Sequence, residues 1–103
     1  MIVKNRIKKH SEFQKVIAEG EIKKTNFFVT YSLNNNLGYS RIGISVPKKI
    51  GDAVCRNKVK RQIRAAIAQS TDYSKSLDLV IIVRKLYNIS NFNEIRSEIQ
   101  ELL

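Results

Sequence analysis

Apolar and polar positions recur along the chain with two periods, and these periods predict where helices and strands form. Apolar side chains spaced three and four residues apart share one face of a helix, whereas alternate positions share one face of a strand. Helical spacing follows His10-Ser11, with apolar residues at 13, 16 and 17. Ser11 is a suitable N-cap and Gly20 a natural stop, so a short first helix is predicted. Residues 21–25 are predicted to form a polar link.

Two strands are predicted after this link, separated by a turn of polar residues at 34–38. Residues 26–33 are rich in aromatic and β-branched side chains, and residues 40–46 alternate apolar with smaller or polar ones. Alternation in the first strand places Phe27 and Tyr31 on one shared face. We predict that the two strands pair as a hairpin.

A second helix is predicted to follow Cys55 and to end near Gln69, and it combines an apolar stripe with a row of cations. At about 100° per residue, one arc holds Val59, Ile63, Ala66 and Ile67. The neighbouring arc, about 140° wide by the same projection, holds Arg56, Asn57, Lys60, Arg61 and Arg64. A solvated helix face is the ordinary explanation for a charge run. Residues 56–64 contain no acid, however, whereas solvated helices usually mix both signs.

The last two predicted elements are a strand and a helix. Residues 77–84 form a nearly continuous apolar run, which is typical of a strand that is buried on both faces and pairs in parallel. Asn91 with Glu94 resembles a capping box before apolar residues at 92, 95, 99, 102 and 103. The order α-β-β-α-β-α predicts an α+β sandwich with helices over one small mixed sheet. A chain of 103 residues suits a single domain.

Charge indicates a polyanionic partner. The net charge is +10, and it is uneven: residues 1–71 carry 15 Lys and Arg against 4 Asp and Glu, whereas residues 72–103 carry 4 against 5. Lys48 and Lys49 extend the basic helix into one predicted cationic ridge. We interpret this ridge as a nucleic-acid-binding surface. The basic residues before His10 are either a phosphate-binding arm or a solvated terminus.

Other classes of function find little support in the residues. A single cysteine, Cys55, allows no internal disulfide and is interpreted as a small buried residue. The longest apolar run is too short to cross a bilayer and no secretory signal is visible, so a cytoplasmic protein is expected. The chain has one histidine, and Asp52 is the only acid between residues 22 and 71. A protein-only nuclease site, which needs an acid–base pair or clustered carboxylates, is therefore not expected.

The spacing R-N-x-x-K-R-x-x-R at residues 56–64 resembles the motif of the protein subunit of bacterial ribonuclease P, and the chain matches that motif in full. The flanks agree as well. Residues 43–54 resemble the family's segment before the motif, residues 11–16 its first helix, and residues 78–84 its last strand. One departure is Ile17, which stands where members often have a larger aromatic residue.

This resemblance implies that RNA and protein have separate tasks. In the family, a catalytic RNA subunit uses Mg²⁺ to cleave precursor tRNA at the mature 5′ end. The chain would be the accessory protein, a monomer in a 1:1 complex with that RNA. No catalytic residue or metal site is assigned to the chain itself, and no DNA or membrane partner is expected. The resemblance also implies a left-handed βαβ crossover.

Two sets of site residues follow from the resemblance. Contact with the RNA subunit is assigned to Arg56, Asn57, Lys58, Lys60, Arg61, Arg64, Lys48 and Lys49. A cleft for the single-stranded 5′ leader, between the first helix, the sheet and the motif helix, is assigned to Phe13, Ile17, Phe27, Tyr31, Lys60 and Arg64. Cationic grooves with stacking platforms hold single-stranded RNA, but core packing is the alternative role for Phe27 and Tyr31. For the whole chain, the alternative is a ribosomal or general RNA-binding protein with no part in cleavage.

Overall fold

The computed structural model describes residues 6–70, 75–84 and 92–102. In chain order, the elements of this part are α1 His10–Glu19, β1 Glu21–Lys24, β2 Phe28–Asn34, β3 Arg41–Ser45, α2 Ala53–Ser70, β4 Leu77–Val83 and α3 Phe92–Leu102. A single turn of 3₁₀ helix, Lys48–Ile50, lies between β3 and α2.

The strands form one mixed sheet in the order β1-β2-β4-β3. β4 is antiparallel to β2 and parallel to β3, so the predicted α+β class with a small mixed sheet is confirmed. The predicted hairpin between residues 26–33 and 40–46 is wrong, because β4 lies between these strands. β4 buries side chains on both of its faces, with Leu79, Ile81 and Val83 on one face and Val80 on the other. An apolar strand of this kind is covered best at the centre of a sheet.

The connection from β2 to β3 passes over the start of β4. Asn36 and Gly38 have φ values of 58° and 82°, which turn the chain. The Asn35 N–H donates to the carbonyl of Ser76 at 2.9 Å, and the Gly38 N–H donates to the Ser76 hydroxyl at 2.9 Å. The polar turn expected at 34–38 is present, but it carries the chain past β4, which lies between β2 and β3 in the sheet. β3, α2 and β4 therefore form the parallel βαβ unit to which the resemblance assigns a left-handed crossover.

β1 occupies residues that the sequence predicted to be a polar link. All of its residues are exposed, so no apolar alternation marks it as a strand. It forms by antiparallel pairing with β2, beginning with Glu21 opposite Ser32. The prediction of a link is wrong because pairing with a neighbouring strand, rather than burial of its own side chains, makes this segment extended.

The two ends of α1 differ in how well the sequence predicted them. The predicted stop at Gly20 is confirmed: a Cβ there would lie 2.4 Å from the Val16 carbonyl oxygen and 2.9 Å from that of Ser32. The predicted capping role of Ser11 is wrong, because Ser11 lies inside the helix. Lys9 takes the extended N-cap position, with no side-chain hydrogen bond.

Helices cover both faces of the sheet. α1 packs on one face, where Val16 and Val80 are buried together with Ile7. α2 and α3 pack on the other face, over a core that includes Phe28, Ile42, Val59, Ile63, Ala66, Ile67, Leu79, Ile81, Val83, Ile95 and Ile99. The predicted apolar stripe of the second helix is confirmed, as are two positions of the last helix. The predicted capping residue Asn91 lies outside the described residues.

Residues at the end of the basic N-terminal segment continue the sheet beyond β3. Arg6 forms a parallel bridge with Ile42, and the Ile7 N–H donates to the Ile42 carbonyl at 3.2 Å. The Ile7 side chain is buried against α1 and β4. This part of the segment is therefore held in place by β3 and is not a free arm.

Arg41 ties α1 to the sheet. Its guanidinium donates to the Asp78 carboxylate at 2.9 and 2.6 Å and forms an ion pair of 2.5 Å with Glu12 of α1. The Asn35 side chain donates to the same Asp78 carboxylate at 2.8 Å. The hydrogen bond to Asp78 raises the pKa of Arg41 above its ordinary, already high value. This network fixes where α1 lies over β3 and β4.

Candidate nucleic-acid interface

α2 presents its basic residues from a capped and anchored helix. The Asp52 carboxylate accepts a hydrogen bond from the Cys55 N–H at 2.8 Å, which satisfies one of the free donors of the first turn. Val59 and Ile63 are 1% and 0% exposed, so α2 cannot rotate about its axis without exposing core side chains. The cations of α2 are consequently held on the sides that face away from this core.

The motif residues form two rows along α2. The inner row is half-buried and consists of Arg56, Lys60 and Arg64. Its members are four residues apart, which places them on one flank of the helix at intervals of about 6 Å along the axis. The outer row is exposed to solvent and consists of Asn57, Lys58 and Arg61.

Lys48 and Lys49 are exposed in the 3₁₀ turn just before α2. The turn is anchored by Ile50, which packs against the core beside Cys55. Cys55 is a free, half-buried thiol, in keeping with its predicted role as a small packing residue. The two lysines therefore have a defined position at the beginning of the basic helix.

Buried donors of the inner row have no acceptor within the part of the chain that the structure describes. The Nε atoms of Arg56 and Arg64 are buried without a hydrogen-bond partner, as is Nε of Arg6. In the same part of the chain, the ion pairs are those of Arg41, so no carboxylate neutralises the motif. Because buried donors are normally hydrogen-bonded, a bound anion with several oxygens, such as a phosphate, suits this surface.

A groove lies between α1, β3 and the inner row. Its larger half has a volume of about 410 Å³, and its polar lining includes Lys8, Lys9, His10, Ser45 and Lys60. Its smaller half has a volume of about 290 Å³ and is lined by Arg6, Lys8 and Arg64 together with residues 42–44. The ring of Phe13 contributes to both halves. Cations thus surround one half-exposed aromatic side chain.

The floor of this groove continues across the sheet beside α1. Strand pairing aligns Ser45, Ile82 and Val29 in one row, with Lys24 of β1 at its far end. The first three are half-buried, whereas Val80 in the adjacent row is fully buried beneath α1. With strands about 4.8 Å apart, the row is about 14 Å long. It forms an open trough that is apolar in the middle and basic at the end.

Three of the six residues predicted for the leader cleft line this groove: Phe13 in both halves, Lys60 in the larger and Arg64 in the smaller. Ile17 and Tyr31 are partly buried on the α1 side of the sheet, where they pack, like Phe13, against the buried cluster of Ile7, Val16 and Val80.

Phe27 lies elsewhere. It is 8% exposed and packs in the core beneath α2 and α3, edge-to-face with Phe28 at a ring-centroid distance of 6.4 Å. Its N–H donates to the Glu98 carboxylate at 3.0 Å. β2 begins only at Phe28, so the alternation of the strand does not extend back to Phe27. The predicted shared face of Phe27 and Tyr31, and with it a place for Phe27 in the cleft, is wrong.

Sequence reasoning left open the role of several groove residues near the N-terminus. These residues are Arg6, Lys8, Lys9 and His10. Their charge was the available signal. Their position depends on the pairing of residues 6 and 7 with β3, which no local periodicity indicates.

Within residues 6–70, 75–84 and 92–102, no three His, Cys, Asp or Glu side chains gather as potential metal ligands. None of the helices in those ranges is long and apolar enough to cross a membrane. The described surface presents cations, the Asn57 amide and the Phe13 ring. By its fold and this surface, the protein belongs to the class of small α+β proteins in which a basic helix borders a groove suited to a polyanionic strand.

Comparisons with known proteins identify the family. The family model Ribonuclease P matches residues 1–103. The ribonuclease P protein component of Mesoplasma florum is 42% identical over 99 residues, covering 94% of this chain and 90% of that protein. The one from Bacillus velezensis is 41% identical over 100 residues, covering 96% and 86%.

Solved structures agree with the sequence relatives. The ribonuclease P protein of Staphylococcus aureus has a TM-score of 0.84 at 31% identity, covering 95% of this chain and 94% of its own. That of Thermotoga maritima has a TM-score of 0.82 at 30% identity, with the same coverage. The chain belongs to the ribonuclease P protein family. It is a protein component of the ribonuclease P holoenzyme, a tRNA-processing endoribonuclease, and its partner is the ribonuclease P RNA.

Proposed function

We propose that this chain, as one RNA-binding domain over residues 1–103, binds the ribonuclease P RNA and the single-stranded 5′ leader of precursor tRNA at adjoining surfaces. The observation that carries the proposal is the inner row of α2, whose buried arginine Nε atoms have no acceptor among the described residues and lie beside a groove containing the Phe13 ring. Arginine forks pair with phosphate oxygens, and aromatic rings stack on unpaired bases.

The ribonuclease P RNA is proposed to contact the exposed side of α2 and the turn before it. The residues assigned to this contact are Arg56, Asn57, Lys58, Lys60, Arg61, Arg64, Lys48 and Lys49. The outer row and the two lysines are exposed on an anchored scaffold, which suits recognition of a folded RNA by its backbone.

The leader is proposed to lie in the groove and trough. Phe13 lines both halves of the groove, where Lys60 and Arg64 supply charge from α2. Ile17 and Tyr31, which pack against the same buried cluster as Phe13, are proposed to extend this wall along the trough. Lys60 and Arg64 therefore lie where the two proposed RNA surfaces meet. Stacking on one such aromatic side chain is worth about 1–3 kcal/mol per base.

Cleavage itself is assigned to the RNA subunit with bound Mg²⁺, and the protein is proposed to act as a monomer in a 1:1 cytoplasmic complex. The protein's contribution is binding energy, which raises the affinity for precursors that carry a leader. It also neutralises phosphate charge, which lowers the Mg²⁺ concentration that the RNA needs.

The experiment compares the affinity of the reconstituted holoenzyme for precursor tRNA with and without its leader. Tyr31→Ala is expected to weaken binding of the leader-bearing substrate by about fivefold or more, the loss of one stacking contact, and to leave leaderless tRNA unchanged. Tyr39→Ala is a control on the β2–β3 connection, away from the groove. Equal loss for both substrates would remove Tyr31 from a leader site.

A further inference from the structure

Gly43 of β3 lies directly beneath the ring of Phe13. A Cβ at this position would lie 2.6 Å from Cε2 and 3.0 Å from Cδ2 of Phe13, and 3.5 Å from Cβ of Ile7. Carbon atoms in ordinary contact are about 3.5–4.0 Å apart. The ring therefore occupies space that any other residue at position 43 would fill with its own side chain.

The ring has one free direction in which to move. On its inner side, α1 and the sheet are close-packed, with Val16 1% exposed and Val80 0% exposed. Ile7 limits the other side of the same space. The remaining side of Phe13 borders the groove, where the ring is half-exposed. A methyl group at position 43 would therefore push the ring about 1 Å outward, into the groove.

We propose that Gly43 is a positioning residue, which acts by seating the Phe13 ring at the depth that a base of single-stranded RNA needs for stacking. The inference rests on the proposed leader site. Because Phe13 contributes to both halves of the groove, its depth sets the clearance between α1 and the inner-row residues Lys60 and Arg64.

The test is a double-mutant cycle in the reconstituted holoenzyme. The variants are Gly43→Ala, Phe13→Leu and the pair together, and the readout is the ratio of affinities for leader-bearing and leaderless precursor tRNA. Leucine has no Cε2 atom, so it relieves the closest contact. Gly38→Ala is the matched control, since a Cβ there meets nothing within 4 Å but is strained by a φ of 82°. It reports a loss of stability without a change in the groove.

Gly43→Ala is expected to lower the affinity ratio by about fivefold or more, with leaderless tRNA bound as before. In the Phe13→Leu background, the same change is expected to lower the ratio by less than about twofold, because no ring is left to displace. A full effect of Gly43→Ala in that background, or none in the wild-type background, would overturn the positioning role. If Phe13→Leu and Tyr31→Ala both left the ratio unchanged, the leader site itself would fail, which is a distinct result.

Discussion

Arg64→Met separates charge from packing at the inner row of α2. The Arg64 side chain is half-buried and borders the smaller half of the groove, and its Nε has no acceptor in the described part of the chain. Methionine retains much of the apolar stem of arginine but removes the guanidinium. The change should therefore weaken RNA binding without a large loss of stability.

The magnitude follows from counterion release. Each phosphate neutralised on a single strand contributes about 0.7 to the slope of log affinity against log salt concentration. Loss of one contact should therefore flatten that slope by about 0.7. Over a fourfold rise in salt, from about 50 to about 200 mM, the affinity deficit of the variant should shrink by about 2.6-fold.

Fluorescence anisotropy of labelled precursor tRNA across this salt range measures the slope directly. Lys23→Ala is the control, because it removes the same charge from β1, where Lys23 is exposed and its Nζ donates to the Glu101 carbonyl at 3.3 Å. The slope of this control should change by less than about 0.2. An unchanged slope for Arg64→Met would place Arg64 away from phosphate. A slope flattened equally by Lys23→Ala would indicate a general effect of net charge.

Two further predictions concern stability, measured by urea unfolding. Arg41→Met should cost about 3–5 kcal/mol, because within the described residues it leaves the buried Asp78 carboxylate with only its bond from Asn35. Arg41→Met with Asp78→Leu should recover much of this stability, and a loss below about 1 kcal/mol for Arg41→Met alone would show that the Asp78 carboxylate does not depend on Arg41. Asp52→Ala should lower the free energy of unfolding by about 1 kcal/mol, because the hydrogen bond from the Cys55 N–H is lost. Asp52→Asn should keep most of that stability, and equal losses of stability in the two variants would contradict the capping role.

Local sequence patterns predicted the elements whose interacting residues lie within the same segment of the chain. The spacing of Val59, Ile63 and Ala66 determines which side of α2 is buried, and the structure buries that side. The orientation of the basic row follows from the same spacing. This part of the candidate site was accessible from sequence because a helix relates positions three and four residues apart without reference to the rest of the chain.

Long-range pairing accounts for what local patterns did not predict. The place of β4 between β2 and β3, the existence of β1 and the bridge at Arg6 all depend on which strand lies beside which. No period within a segment encodes that choice. The misplacement of Phe27 has a similar origin, because the face of a residue depends on where its strand begins, and β2 begins at Phe28, two residues after the predicted start.

Cleavage of precursor tRNA by the cognate ribonuclease P RNA at low Mg²⁺, with and without this protein, tests the central claim most directly. The protein is expected to restore cleavage at the mature 5′ end. A variant with Arg56, Lys60 and Arg64 all changed to methionine is expected to remain folded but to restore much less of this cleavage. Absence of rescue by the wild-type protein, with salt-sensitive RNA binding still present, would contradict the account and leave a general RNA-binding protein of the same fold.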